Sequence, residues 1–285
     1  MLHHPPACLA YSDSIHNNYG YLPSLNVGIA FVIIFGLIAL TQLAFTIRYR
    51  TIWMLFFVIG AGLECLGWIG RTVSHQCAYS SVLFTMQTAT LIMGPAWTQA
   101  GVYITLWLLF TVLGKHVFPL PPKTYLWICF VVDLVCLSLQ ATGGGLAGAA
   151  VNTQPGTLTM VVGIIAQLVS ACFFSIMLGI VLTRGWPLIR KSTPMRLVSA
   201  AIVLSTTMMV LRGVYRSIEL VQGWRGYLIT HEGYVIGLDA VPMMIAMGVL
   251  AILNPGWLLS KQKVAALNTT EVEEKRVNES EVTLA

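Results

Sequence analysis

Residues 53–74 read WMLFFVIGAGLECLGWIGRTVS, an apolar run that nevertheless holds a carboxylate, Glu64, and a guanidinium, Arg71. About 20 such residues are what a helix needs to cross the hydrocarbon core of a bilayer. A charge at mid-membrane costs roughly 2.5 kcal/mol or more unless it is paired or hydrated. In a helix Glu64, Gly67, Trp68 and Arg71 fall at i, i+3, i+4 and i+7 and share one face. The run is thus a membrane helix with one face turned away from lipid.

The rest of the chain repeats the pattern. Only 9% of its 285 residues are charged, against roughly 25% in a water-facing domain. Apolar stretches predict spans near 24–47, 53–74, 84–111, 124–147, 158–182, 197–219 and 234–254. This makes an all-α polytopic protein with one seven-helix transmembrane domain, 24–259, between an N-terminal segment, 1–23, and a polar, mixed-charge tail, 260–285. Unpaired backbone groups find no partner in lipid, so Gly94-Pro95 predicts a kink rather than a break, with neighbours replacing the lost hydrogen bond. Residues 1–23 contain no Lys or Arg, so they lack a cleavable signal and the first span is the expected targeting signal.

Orientation follows from the basic residues. Arg48, Arg50, Lys115, Lys123, Arg184, Arg190, Lys191, Arg196, Lys261, Lys263, Lys275 and Arg276 fall on one side; only Arg71 and Arg225 fall on the other. The positive-inside rule puts the N-terminus outside and the C-terminus in the cytosol. The sequons at Asn268 and Asn278 then lie in the cytosol and carry no glycan. Cys8 and Cys77 are both outside and can pair; Cys65, Cys129, Cys136 and Cys172 read as small apolar residues of the bundle. The basic balance reflects membrane anchoring, not nucleic acid.

The acidic residues divide sharply. Glu64, Asp133, Glu219, Glu232 and Asp239 lie within or at the ends of spans, with Arg71, Arg212 and Arg216 beside them. Asp133 and Gln140 share a face of the fourth span, and Arg212, Arg216 and Glu219 repeat the i, i+4, i+7 pattern on the sixth. Glu64, Asp133, Glu219 and Asp239 nearly balance the three arginines, as mutual pairing requires. Arg71, Gln87, Gln140, Arg212, Arg216, Glu219 and Asp239 fall in the outer half of the membrane, with Glu64, Asp133 and Gln167 nearer the middle. These positions predict a polar vestibule open outward and closed toward the cytosol. The plainer alternative is a set of ion pairs that fixes helix register and binds nothing.

Other chemistries lack their residues. The chain has no phosphate loop with its lysine; GGGLAG at 143–148 reads as a close helix approach or a turn. The last span has no lysine for a Schiff base, and His3, His4, His16, His75, His116 and His231 are all outside or at the edges, which predicts no metal site. Serines such as Ser138 and Ser170 have no His near them in the helical pattern, so neither an enzyme nor a bound cofactor is expected. A G-protein-coupled receptor is a poor match, and Asn254-Pro255 reads as a helix stop.

The motifs YGYLPSLNVGIAFVIIF (19–35), ECLGWIGR (64–71), GPAWTQAGVY (94–103), VVDLVCLSLQATGGG (131–145), RGVYRSIELVQGWRGYLITHEGYVIGLDAVPM (212–243) and NPG (254–256) follow one another in order. In that series the chain resembles the fungal lipid-translocating exporter family, which includes aminocholesterol-resistance, sphingoid-base-resistance and protoporphyrin-uptake proteins. The resemblance implies a plasma-membrane or vacuolar-type protein that confers resistance to amphipathic lipids and lipophilic drugs without an ATPase domain. It departs at Ile236, Gly237 and Leu238, where relatives often carry aromatics, leaving more room near Asp239. The chemistry suits a cationic amphiphile. Glu64, Asp133 and Asp239 would neutralise its head in turn, and Arg71, Arg212 and Arg216 would hold them when the site is empty. Trp68, Trp97 and Tyr103 either stack on the ligand or pack in the bundle. A lipid or stress sensor and a porphyrin or haem transporter stay open as alternatives.

Overall fold

The computed structural model describes residue 8 and residues 19–113, 122–149, 154–223 and 226–259; the expectations for the N-terminal segment before residue 19 (Cys8 apart), Lys115, Arg225 and the tail lie outside these. Helix is the regular secondary structure found among the described residues. Helix α1 spans Leu25–Tyr49, α2 Leu55–Ser74 after a 3-10 turn at Ile52–Met54, α3 Ser81–Leu113, α4 Pro122–Ala149, α5 Gln154–Ile189 and α6 Thr193–Val221. The last helix, α7, is built from three consecutive pieces: an α turn at Glu232–Tyr234, a wider π turn at Val235–Ala240, and an α segment at Val241–Ile252. Pro242 has no N–H for the Leu238 carbonyl, which accounts for the loosened turn at this point. Most helices run a few residues beyond the apolar stretches expected of them.

Among the described residues, α1, α2, α4, α5, α6 and α7 are long and apolar enough to cross a membrane. On α3 the polar side chains Gln87, Thr90, Thr98, Gln99 and Thr105 are all buried. Thr98 and Thr105 satisfy themselves by donating to the Gly94 and Gly101 carbonyls one turn back. Neighbouring helices pack in chain order, α1 also touches α7, and α3 reaches α4, α5 and α6, so α3 lies at the centre of the ring. The outside is apolar: Ile29, Ile33, Leu37, Leu40 and Ile47 form one exposed stripe on α1, and Val162, Val169, Phe173 and Ile176 another on α5.

Small residues set the helix spacing. A Cβ on Gly94 would stand 3.0 Å from the Gly60 carbonyl, and one on Gly60 would stand 2.9 Å from the Gly94 carbonyl, so α2 and α3 meet backbone to backbone. Gly143, in the glycine run of α4, allows the same approach to α5: its Cβ would stand 2.7 Å from the Gly156 carbonyl. One end of the bundle is filled by Met54, Phe57, Leu106, Phe174, Ile202 and Leu250. At that end Asn254 stops one helix and starts another turn. Its Oδ1 accepts from the Trp257 N–H at 3.1 Å and its Nδ2 donates to Gln42 of α1 at 3.1 Å, both side chains buried. Asn254-Pro255 is therefore a cap and a tie as well as a stop.

Candidate functional site

Helix α3 continues through Pro95. Pro95 cannot bond the carbonyl of Leu91, four residues back. The guanidinium of Arg212 on α6 takes that carbonyl, donating through Nη2 at 2.6 Å. The predicted replacement by a neighbour is thus a cross-bundle bond, and it leads directly to the polar centre.

Arg212 Nε also lies 2.6 Å from Oδ1 of Asp239. Arg216, one turn further along α6, forks onto the same carboxylate, with Nη2 at 2.6 Å from Oδ2 and Nε at 3.2 Å from Oδ1. Its third nitrogen, Nη1, donates to Glu219 Oε2 at 2.9 Å, and Tyr215 donates to Glu219 Oε1 at 3.1 Å. Two arginines and two carboxylates thus form a charge-balanced cluster, with Arg212, Glu219 and Asp239 buried. The π turn of α7 carries Asp239 to this meeting point.

A second cluster lies beside it. Arg71 Nη2 contacts Glu232 Oε1 at 2.9 Å and the Tyr21 hydroxyl at 2.5 Å, while the Tyr19, Tyr21 and Trp68 rings lie within 5.8 Å of the guanidinium carbon. Ser24, just before α1, holds Glu232 through its N–H at 3.0 Å and its hydroxyl at 2.8 Å. Tyr19 donates to Gln87 Oε1 at 2.9 Å and stands 3.0 Å from Ser74 Oγ. Burial raises the ionisation of both tyrosines above the ordinary phenol range, so each stays neutral. The segment is tethered further by a disulfide between Cys8 and Cys77.

The expected pairing therefore changes. All three arginines are matched, but to Glu219, Glu232 and Asp239; Glu64 and Asp133 have no arginine among the described residues. Glu64 and Arg71 share a face yet stand two turns apart, about 10.5 Å along the axis, too far to pair. Arg71 reaches instead to the start of α7. Glu64 is 1% exposed and its Oε1 has no hydrogen-bond partner. Asp133 accepts from Tyr103 at 2.7 Å through Oδ2, and Oδ1 has no partner.

Asp133 faces a cavity of about 70 Å³. Gln99 and Pro95 of α3, Gln140 of α4, Gln167 of α5, and Arg212 and Arg216 of α6 also line it. Gln140 donates to Gln167 at 2.8 Å, but Gln140 Oε1 and Gln99 Nε2 are buried without partners. One water needs about 10–15 Å³ on this measure, so the space admits a few waters or a polar head but not a long alkyl tail. A second cavity of about 40 Å³ lies among Tyr19, Tyr21, Arg71, Gln87, Arg216 and Glu219.

The sequence-derived candidates Arg71, Gln87, Asp133, Gln140, Arg212, Arg216, Glu219 and Asp239 each touch a cavity or an ion cluster; Glu64 lines neither cavity and has no ionic partner. Tyr19, Tyr21, Gln99 and Glu232 join them. Gln99 was legible as the residue one turn past Pro95 on its face, and Glu232 as the one carboxylate left out of the charge balance. The aromatics Trp68, Trp97 and Tyr103 pack on Phe31, Phe56 and Phe174 with ring centroids 4.4, 5.6 and 4.6 Å apart, while Trp68 also lies over Arg71 and Tyr103 also donates to Asp133. Among the described residues no His, Cys, Asp and Glu group could hold a metal.

Comparison with known proteins adds to this geometry. The chain is 33% identical to the sphingoid long-chain base transporter RSB1 of Saccharomyces cerevisiae, over 87% of this chain and 75% of that protein. It is 30% identical to protoporphyrin uptake protein 1 of the same yeast, over 67% of this chain and 65% of that protein. Protein RTM1, also from Saccharomyces cerevisiae, is 28% identical over 67% and 63%. No solved structure matches. The RTA1-like protein family matches residues 57–262, which include both ion clusters' arginines and carboxylates, and the chain belongs to that family.

Proposed function

We propose that the chain is a multi-pass membrane transporter that moves amphipathic lipids with a cationic, hydroxylated head, sphingoid-base-like in chemistry, and thereby confers resistance to them and to lipophilic drugs of that shape. The observation that carries this reading is the cavity where Asp133 Oδ1 and Gln140 Oε1 offer acceptors and Gln99 Nε2 a donor, none of them in a well-formed hydrogen bond, with Ser170 beside Asp133 and Tyr103 beside Gln99. An ammonium has three donors and no acceptor, and a hydroxyl both donates and accepts, so such a head matches this set. The apolar outer surface leaves its tail in lipid. The name of the RSB1 relative agrees with that chemistry.

In this reading the seven helices all cross the membrane, with residues 1–23 outside, 24–259 as the transmembrane domain and 260–285 as a cytosolic tail, most simply in the plasma membrane. The described basic residues Arg48, Arg50, Arg184, Arg190, Lys191 and Arg196 lie at the end filled by the apolar core, and the second cavity lies toward the other, which supports this orientation. Glu64, Asp133 and Asp239 receive the head in turn; Arg71, Gln87, Gln140, Arg212, Arg216 and Glu219 shape the route. Neither catalysis nor a cofactor is part of the scheme. A porphyrin would favour free arginines for its propionates, and the protoporphyrin-uptake relative makes it the second reading. Arg71, Arg212 and Arg216 are all engaged by carboxylates, which favours the ammonium.

The test is uptake or flip of charged amphiphiles in liposomes holding the purified protein. A long-chain amino-diol should move, and its N-acylated neutral counterpart should not. Binding without movement would make the protein a sensor, and movement of dicarboxylate porphyrins alone would support the second reading. Glu64→Gln should lower sphingoid-base resistance at matched surface expression; full resistance would remove Glu64 from the route.

A further inference from the structure

The two cavities share only two lining residues, Arg216 and Ile92. One holds the tyrosines, Arg71 and Glu219; the other holds Asp133, Gln99 and Gln140. The guanidinium of Arg216 and the side chain of Ile92 thus face both cavities. The guanidinium is held on both sides, by Asp239 at 2.6 Å and by Glu219 at 2.9 Å.

We propose that Arg216 is the gate between an outer vestibule and an inner head-group site, opened when a cationic head competes for Glu219. This deepens the transport reading and rests on it for the identity of the ligand. Glu219 lines the vestibule, so an arriving ammonium meets the carboxylate that holds Arg216 Nη1. Once the head occupies Glu219, Arg216 keeps only its fork on Asp239. The side chain is then free to swing on that one anchor. Ile92 has no polar anchor and follows its neighbours. The two cavities merge, and the head gains a continuous polar path from Glu219 to Asp133. A neutral or anionic head cannot take the place of a guanidinium at a carboxylate, so the gate also selects the substrate's charge. Arg212 does not share this role: it lines only the inner cavity and is pinned by the Leu91 carbonyl. Arg216 is a positioning and specificity residue in this scheme.

The experiment reads water access rather than flux. Cys65, Cys129, Cys136 and Cys172 are replaced, and a single new cysteine is placed at Gln99 (inner cavity) or at Thr88 (vestibule). A small, charged methanethiosulfonate reagent is applied to the protein in nanodiscs. Thr88→Cys should react with or without further change. Gln99→Cys should react slowly, and Arg216→Ala should speed it by about tenfold or more, since a state open no more than about 10% of the time becomes the resting one. Without any change at Arg216, a long-chain amino-diol should speed Gln99→Cys labelling several-fold, and its N-acylated neutral counterpart should leave it unchanged. That second arm decides the matter if Arg216→Ala fails to fold. Equal labelling of Gln99→Cys with and without Arg216, acceleration by the neutral lipid, or an unreactive Thr88→Cys would each overturn the gate. Liposome flux with no effect on labelling would leave transport standing and remove the gate. A labelling response without flux would do the reverse.

Discussion

Asp239→Asn removes one negative charge that two arginines, Arg212 and Arg216, share. Arg216 keeps Glu219 at 2.9 Å, whereas Arg212 is left with the neutral Leu91 carbonyl. One guanidinium, not two, becomes uncompensated. An arginine at the centre of a membrane helix costs roughly 2.5–3.5 kcal/mol, and the hydrogen bond that Asn still accepts offsets about 1 kcal/mol. The substitution should therefore destabilise the protein by about 2 kcal/mol, well above the roughly 0.6 kcal/mol typical of a polar side-chain pair in a membrane protein. The assay is a double-mutant cycle with Arg212→Met, followed by unfolding in one detergent. Arg212→Met alone leaves a surplus carboxylate and should also destabilise. The double variant restores charge balance around Arg216 and Glu219, so it should be more stable than either single variant. Costs that add to within about 0.5 kcal/mol would show that Asp239 and Arg212 do not interact and would refute the shared-charge account of the cluster.

Three further outcomes are expected. Gly94→Ala places a Cβ 3.0 Å from the Gly60 carbonyl and should cost roughly 1–3 kcal/mol in thermal unfolding, whereas Gly145→Ala, with nothing within 4 Å, should be near neutral. Thiol titration of the denatured, unreduced protein should count only Cys65, Cys129, Cys136 and Cys172, and reduction should raise the count to 6. In a eukaryotic membrane a sequon engineered into residues 9–18 should be glycosylated while Asn268 and Asn278 stay bare; the opposite pattern would invert the proposed orientation.

The helical class, the approximate extent of each helix and the buried charges were legible in the sequence, because lipid forces the backbone to pair within each segment and penalises every charge that faces it. Helical spacing also placed Arg212, Arg216 and Glu219 on one face. Partner choice was not legible. Arg71 bonds Glu232, more than 150 positions away, because α7 starts where α2 ends, and no local rule encodes that adjacency. The same holds for Arg212 and the carbonyl freed by Pro95: the sequence shows that Leu91 loses its donor, but only the packing of α6 against α3 supplies the replacement. The orphaned atoms of Gln99, Asp133 and Gln140 define a site only because four helices leave about 70 Å³ between them. Composition and periodicity act along one chain segment at a time, whereas a cavity and a salt bridge are properties of the space between segments.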